Sequence, residues 1–122
     1  MPYTVPPLYV SGGLTTSPTP NTVISSVILP APTTGFRYRI YGLSSIWVQN
    51  NTSSAIIYEG WSDGTSSFAL MGLSGSDPSG EIVYPAPGIV LPPTTALVMV
   101  QKCNVASQKM DYSVLYYLEA GP

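Results

Sequence analysis

The sequence predicts an all-β protein, an antiparallel β-sandwich of jelly-roll type with about eight short strands. No segment has the 3.6-residue apolar period of an amphipathic helix. Short runs of β-branched and aromatic residues recur instead, separated by Gly- and Pro-containing turns. The 122 residues are enough for one domain, and a hydrophobic content of 44% is enough for a buried core. An immunoglobulin-like sandwich is the alternative, although the chain lacks the Cys–Trp–Cys pattern of that fold.

The first 20 residues are predicted to form an extended arm, followed by a sandwich domain at residues 21–122. This segment contains Pro2, Pro6, Pro7, Pro18 and Pro20, which exclude a helix and a central strand. It is not a polar linker, because it also carries several apolar side chains. An arm that lies along another protein surface fits both facts. The candidate partner contacts are therefore Tyr3, Val5, Leu8, Tyr9, Val10 and Leu14, together with Tyr84 beside Pro85.

The first two strands of the domain are predicted at residues 22–29 and 36–48. The first is rich in β-branched residues and ends at Pro30. In the second, Tyr38 and Ile40 alternate with Arg37 and Arg39, so the two pairs point to opposite faces of the sheet. A glycine inside this strand, at position 42, predicts a bulge.

The other predicted strands are 55–61, 81–84, 89–91, 95–101 and 110–119, and residues 67–73 form either a strand or a single turn. The last two strands are predicted to be central, because they are the longest and most apolar. In the final strand Tyr116 and Tyr117 face opposite ways, so one of them is expected outside the core. Ser62-Asp63-Gly64 is a turn signal.

The composition excludes several classes of protein. Charged residues make up 8% of the chain, against roughly a quarter in typical soluble domains, and the net charge is −2. No basic patch favours nucleic acid, and no apolar run is long enough to span a membrane. The single cysteine, Cys103, cannot form an internal disulfide and is expected to pack as a small hydrophobic residue.

No catalytic, cofactor-binding or metal site is predicted, and no small-molecule substrate. The chain has no histidine, which excludes the common triads and the commonest metal ligand. Glu59 and Asp63 flank Trp61 and could line a sugar cleft. The simpler interpretation is that Asp63 belongs to a turn, and that Glu59 faces solvent or pairs with an arginine.

A family resemblance rests on several segments that follow one another in a fixed order. These are Gly35–Leu43 (GFRYRIYGL), a polar Asn-rich turn, Asp63-Gly64-Thr65, a Gly/Ser loop, Pro87–Leu91, Thr95-Ala96-Leu97 and Tyr112–Glu119 (YSVLYYLE). Residues 35–120 thereby resemble the small capsid-decoration (cement) proteins of tailed bacteriophages.

The resemblance implies a jelly roll that is made in the host cytoplasm and forms a homotrimer on the outer capsid surface of the virion. Its partner would be the major capsid protein, which the arm would help to clamp. The trimer contact would use the strand that carries Arg37, Arg39 and Tyr41, or the one that carries Tyr117. Two alternatives remain open. One is a phage tail, fibre or host-recognition module, and the other is a carbohydrate-binding module that uses Trp47 or Trp61.

Overall fold

The computed structural model describes residues 8–48, 55–74, 77–85 and 87–121, and it confirms the all-β fold. The described residues contain nine strands and no helix. They therefore include no helix long and apolar enough to cross a membrane. The strands are β1 (Leu8–Thr15), β2 (Ile24–Leu29), β3 (Phe36–Trp47), β4 (Ile56–Ser62), β5 (Ser67–Ser74), β6 (Ser79–Val83), β7 (Ile89–Val90), β8 (Leu97–Cys103) and β9 (Lys109–Ala120).

The strands form two antiparallel sheets. The five-stranded sheet has the order β1-β9-β3-β6, with β7 also paired to β3, and the four-stranded sheet has the order β2-β8-β4-β5. The pairs are nested along the chain: β4 with β5, β3 with β6, β2 with β8, and β1 with β9. A long antiparallel hairpin that is wrapped into two sheets has this nesting, which is the jelly-roll connection. Strands β8 and β9 lie inside their sheets, which confirms the prediction that they are central.

The core lies between the two sheets. The four-stranded sheet contributes Ile57, Leu97 and Met99, and the five-stranded sheet contributes Ile40 and Val114, all fully buried. Burying each such side chain contributes roughly 1.5–3 kcal/mol. Cys103 is buried among them, as expected for a small hydrophobic residue.

The predicted bulge at Gly42 is confirmed. The register of β3 against β9 shifts between Ile40 and Gly42. The extra residue changes which side chains face inward: the buried ones are Tyr38 and Ile40 before the bulge, and Leu43, Ser45 and Trp47 after it. The bulge thereby allows one long strand to contribute to the core on both sides of the glycine.

The described part of the predicted arm is joined to the sandwich. Strand β1 pairs with β9 along its whole length, from Leu8 opposite Tyr116 to Thr15 opposite Lys109. It is an edge strand, as the neighbouring prolines require. Beyond it, Thr16 N donates to Gln108 O, and Gln108 N donates to Thr16 Oγ1, both at 2.8 Å. The domain boundary at residue 20 stays a prediction. Tyr3 and Val5 lie outside the described residues.

Candidate interaction surfaces

The two acidic residues that flank Trp61 do not form a sugar-cleaving pair. The Asp63 carboxylate accepts hydrogen bonds from Thr65 N and Ser66 N, both at 2.9 Å, and these bonds hold its pKa below the usual range. Asp63 is therefore a turn residue, as predicted. Glu59 is only 2% exposed and has no arginine partner, so the prediction that it faces solvent or pairs with an arginine is wrong. The described residues hold no cluster of three metal-ligating side chains.

Neither tryptophan can stack on a sugar. Trp61 is fully buried, and Trp47 is 4% exposed. Trp61 packs edge-to-face with Tyr112 of the opposite sheet, with 6.5 Å between the ring centroids. Trp47 Nε1 donates to Gln108 Oε1 at 3.2 Å. The carbohydrate-binding hypothesis that depended on these two rings is therefore wrong, since stacking on a sugar needs an accessible ring face.

The structure brings together the four predicted trimer-contact residues on the outer face of the five-stranded sheet. Glu119 joins the two arginines. Arg37 Nε donates to Glu119 Oε2 at 3.0 Å, and Arg39 Nη2 donates to the same oxygen at 2.9 Å. Beside them, Tyr41 and Tyr117 pack edge-to-face with 5.2 Å between the ring centroids. We call Arg37, Arg39, Tyr41, Tyr117 and Glu119 the arginine–tyrosine patch.

The arginine–tyrosine patch has a net positive charge, since two guanidinium groups share one carboxylate. The hydrogen bond from Arg39, with that from Arg37, lowers the pKa of Glu119 below its usual range. Arg39 Nη1 also donates a hydrogen bond to the carbonyl of Pro87, at 2.7 Å. Planar guanidinium groups that are fixed beside tyrosine rings are typical of protein interfaces.

The predicted partner contacts on β1 and at Tyr84 differ in accessibility. Leu8 is 42% exposed, and Tyr9 is 66% exposed. Val10, Leu14 and Tyr84 are half-buried and pack against the core. Burial also raises the pKa of Tyr84. Of these five side chains, Tyr9 is therefore the most available to a partner.

A groove of about 460 Å³ crosses the outer face of the five-stranded sheet, beginning beside Tyr9. Its floor is a row of directly opposed residues, one from each of four strands: Ser11 of β1, Ser113 of β9, Ser44 of β3 and Glu81 of β6. The row runs perpendicular to the strands, and four strands span roughly 14 Å at the usual spacing. We call this feature the serine groove.

Larger side chains form the walls of the serine groove. The row on one side contains Tyr9, Leu115 and Val83, and the row on the other contains Asp111 and Ile46. The wall is interrupted over the bulge residue Gly42, where a second hollow of about 220 Å³ opens. Glu81 and Asp111 form no ion pair with any described residue, and no cation lines the groove. The groove is therefore acidic and rich in hydroxyl groups.

The outer face of the four-stranded sheet is mainly apolar. Val27 is 62% exposed, Tyr58 56% and Leu70 77%. A hollow of about 270 Å³ lies between Tyr58 and Leu70, and the exposed Lys102 lies at its border. An apolar surface of this kind is usually covered by another protein.

Reasoning from the sequence missed two of these features. The serine groove depends on the pairing of residues that are as many as 102 positions apart, as Ser11 and Ser113 are, and no local pattern reveals it. The burial of Glu59 could have been predicted, because Glu59 lies two residues from both Ile57 and Trp61 and therefore on the same face of β4. That signal conflicted with the usual exposure of glutamate.

No protein-family model matches the chain, and no curated protein does. Solved structures do share its fold. One is a chain of the crystal structure of tomato aspermy virus, with a TM-score of 0.56 and 7% identity over 95% of this chain and 80% of that one. Another is a chain of the acid-stable capsid structure of Helicobacter pylori bacteriophage KHP30, with a TM-score of 0.53 and 17% identity over 97% and 96%. At these identities the likeness shows a common fold.

Proposed function

We propose that the chain is a structural subunit of a virus particle, namely a head-decoration (cement) subunit that binds the major capsid protein as a homotrimer on the outer surface of the shell. The observation that carries the proposal is the surface of the sandwich. The outer face of the four-stranded sheet is mainly apolar, and that of the five-stranded sheet combines hydroxyl groups with exposed apolar and aromatic side chains; Tyr9, Val83 and Leu70 are each at least 66% exposed. Such surfaces are characteristic of proteins that work in contact with others.

The fold comparison supports the same proposal. The alignment with the KHP30 chain covers 97% of this chain and 96% of that one, so the two chains are of similar size. A jelly roll of this size therefore occurs within a phage capsid structure. Fold alone does not assign function, which is why the surface carries the argument.

The serine groove is the surface that we assign to the capsid contact. Its length of roughly 14 Å accommodates about four residues of an extended chain. Its unpaired acids, Glu81 and Asp111, favour a segment that carries lysine or arginine. Tyr9 at the end of the groove adds an exposed aromatic ring, a side chain that contributes strongly to interfaces.

Quantitative mass spectrometry of purified virus particles tests the proposal directly. A decoration subunit is present at a copy number comparable with that of the major capsid protein. A few copies per particle would favour the tail, fibre or host-recognition alternative. Absence from the particles would refute a structural role in the virion.

Rebinding to particles stripped of the protein tests the groove. Reversing both groove charges, with Glu81→Lys and Asp111→Lys together, is expected to weaken rebinding at least tenfold, about 1.4 kcal/mol. The matched control is Asp77→Lys, which reverses an exposed acid outside the groove. If the groove variant rebinds as tightly as the control, the capsid contact lies elsewhere.

A further inference from the structure

A cluster of polar side chains lies in the middle of the core. Glu59 is 2% exposed, Gln101 1%, Ser45 3%, and Trp61 is fully buried. Glu59 and Gln101 are direct partners on β4 and β8, Trp61 is two residues further along β4, and Ser45 comes from β3 of the opposite sheet. The cluster therefore lies where the two sheets meet.

The polar atoms of this cluster lack normal hydrogen bonds. Both carboxyl oxygens of Glu59, Gln101 Oε1, Ser45 Oγ and Trp61 Nε1 are buried without a partner. The amide nitrogen of Gln101 contacts Met110 Sδ instead of the carboxyl group. A buried ionised carboxylate needs several strong donors, and the nearby hydroxyl of Ser45 and amide of Gln101 make no hydrogen bond of normal length and angle to Glu59.

No positive charge compensates Glu59. All four Lys and Arg side chains belong to the described residues. Arg37 and Arg39 bind Glu119, and Lys102 and Lys109 are exposed. The titratable side chains that point into the core from other elements are Cys103 of β8, Tyr38 of β3, Tyr112 and Tyr116 of β9, and Tyr84 after β6. None of these groups carries a positive charge, and β1, β2, β5 and β6 contribute no titratable group to the core.

We propose that Glu59 is a proton switch inside the sandwich: the fold holds it as a neutral carboxylic acid in acid, and its ionisation above neutral pH loosens the packing of the two sheets. The contribution of Glu59 therefore makes the folded protein more stable in acidic than in alkaline solution. The inference rests on the interior of the fold and holds whether or not the proposed virion function is correct.

The titration of Glu59 supports the direction of this effect. Burial raises its pKa to about 7 from an ordinary value of 4.5. The hydroxyl of Ser45 and the amide of Gln101 lie near the carboxyl group without a hydrogen bond of normal geometry, and their attraction for its charged form offsets only part of the rise. Since the folded state binds the proton more tightly, the stabilisation is complete below pH 4.5 and is lost as the pH rises through about 7. The loss corresponds to a change in the folding equilibrium constant on the order of a hundredfold between pH 4.5 and 9.

Glu59→Gln isolates this group, because glutamine has nearly the same shape and stays neutral at every pH. Urea unfolding of both proteins from pH 4.5 to pH 9 is the measurement. The folding constant of the variant relative to wild type is expected to rise on the order of a hundredfold across that range. The matched control, Glu81→Gln, removes an exposed acid and is expected to show a nearly constant ratio.

A ratio for Glu59→Gln that does not change with pH would overturn the proposal. If the variant fails to fold, carbon-13 NMR of the Glu59 carboxyl group in the wild-type protein decides the question. A midpoint near 7 supports a neutral Glu59 in acid, and a midpoint near 4.5 overturns it.

Discussion

Glu59 and Glu119 show how the surroundings of a carboxylate decide its charge. Glu59 is buried without a cation, so its pKa is raised to about 7. Glu119 lies at the surface between Arg37 and Arg39, so its pKa is lowered. The two groups therefore contribute to stability in opposite pH ranges: Glu59 in acid and Glu119 at neutral pH and above.

Glu119→Gln is expected to destabilise the protein by about 1 kcal/mol at pH 7, a modest value because the pair is partly exposed to water. The lowered pKa means that the stabilisation is present at neutral pH and is lost as the pH falls below the ordinary value of 4.5. Urea unfolding at pH 7 and pH 3 measures both. Asp111→Asn, which removes an unpaired exposed acid, is the control. An equal loss at both pH values would show that the ion pairs are not its cause.

At the scale of the elements, β1 decides whether residues 1–20 act as an arm or as part of the sandwich. Eight residue pairs join β1 to β9, and Val10 and Leu14 pack against the core. Gly12 has a specific role, because a Cβ there would lie 2.6 Å from the hydroxyl of Tyr112. The glycine makes room for the ring that packs on Trp61, so β1 is shaped to fit this sheet.

Two truncations separate these roles. Removing residues 1–7 leaves all eight pairs between β1 and β9, so a cooperative melting transition is expected to persist. Removing residues 1–17 uncovers the edge of β9 and is expected to abolish the cooperative transition or cause aggregation. Circular dichroism melting and a sizing column report both. Equal stability of the two truncations would mean that β1 is dispensable to the fold.

At the scale of the whole molecule, two sheets leave two outer faces exposed. The arginine–tyrosine patch and the serine groove lie on one of them, and an apolar surface around Leu70 lies on the other. A closed ring of subunits covers surfaces that a monomer leaves in water, which is the physical reason to expect an oligomer.

Light scattering on a sizing column tests the trimer. Three copies of the 12.9 kDa chain have a mass near 39 kDa. If the arginine–tyrosine patch forms the contact, Tyr117→Ser is expected to convert the trimer to monomers, because the ring is a large part of that surface. Tyr58→Ser removes an exposed tyrosine from the other outer face and should leave the trimer intact. A monomeric wild-type protein would contradict the trimer.

Most of the fold could be predicted from local signals. The strands follow runs of β-branched and aromatic residues, the turns follow Gly, Pro and Asp63, and the bulge follows Gly42. These features depend on neighbouring residues in the chain, which is why local patterns predict them. The alternation in β3 also separated Tyr38 and Ile40, which face the core, from Arg37 and Arg39, which do not.

Contacts between residues far apart in the chain depend on how the strands pack together. Glu119 rather than Glu59 pairs with the arginines because β9 lies beside β3, whereas β4 belongs to the other sheet. The serine groove exists because Ser11, Ser113 and Ser44 share one register across three strands. Sheet order and register are set by the packing of the whole core, and a shift of one residue would turn every side chain of a strand to the other face.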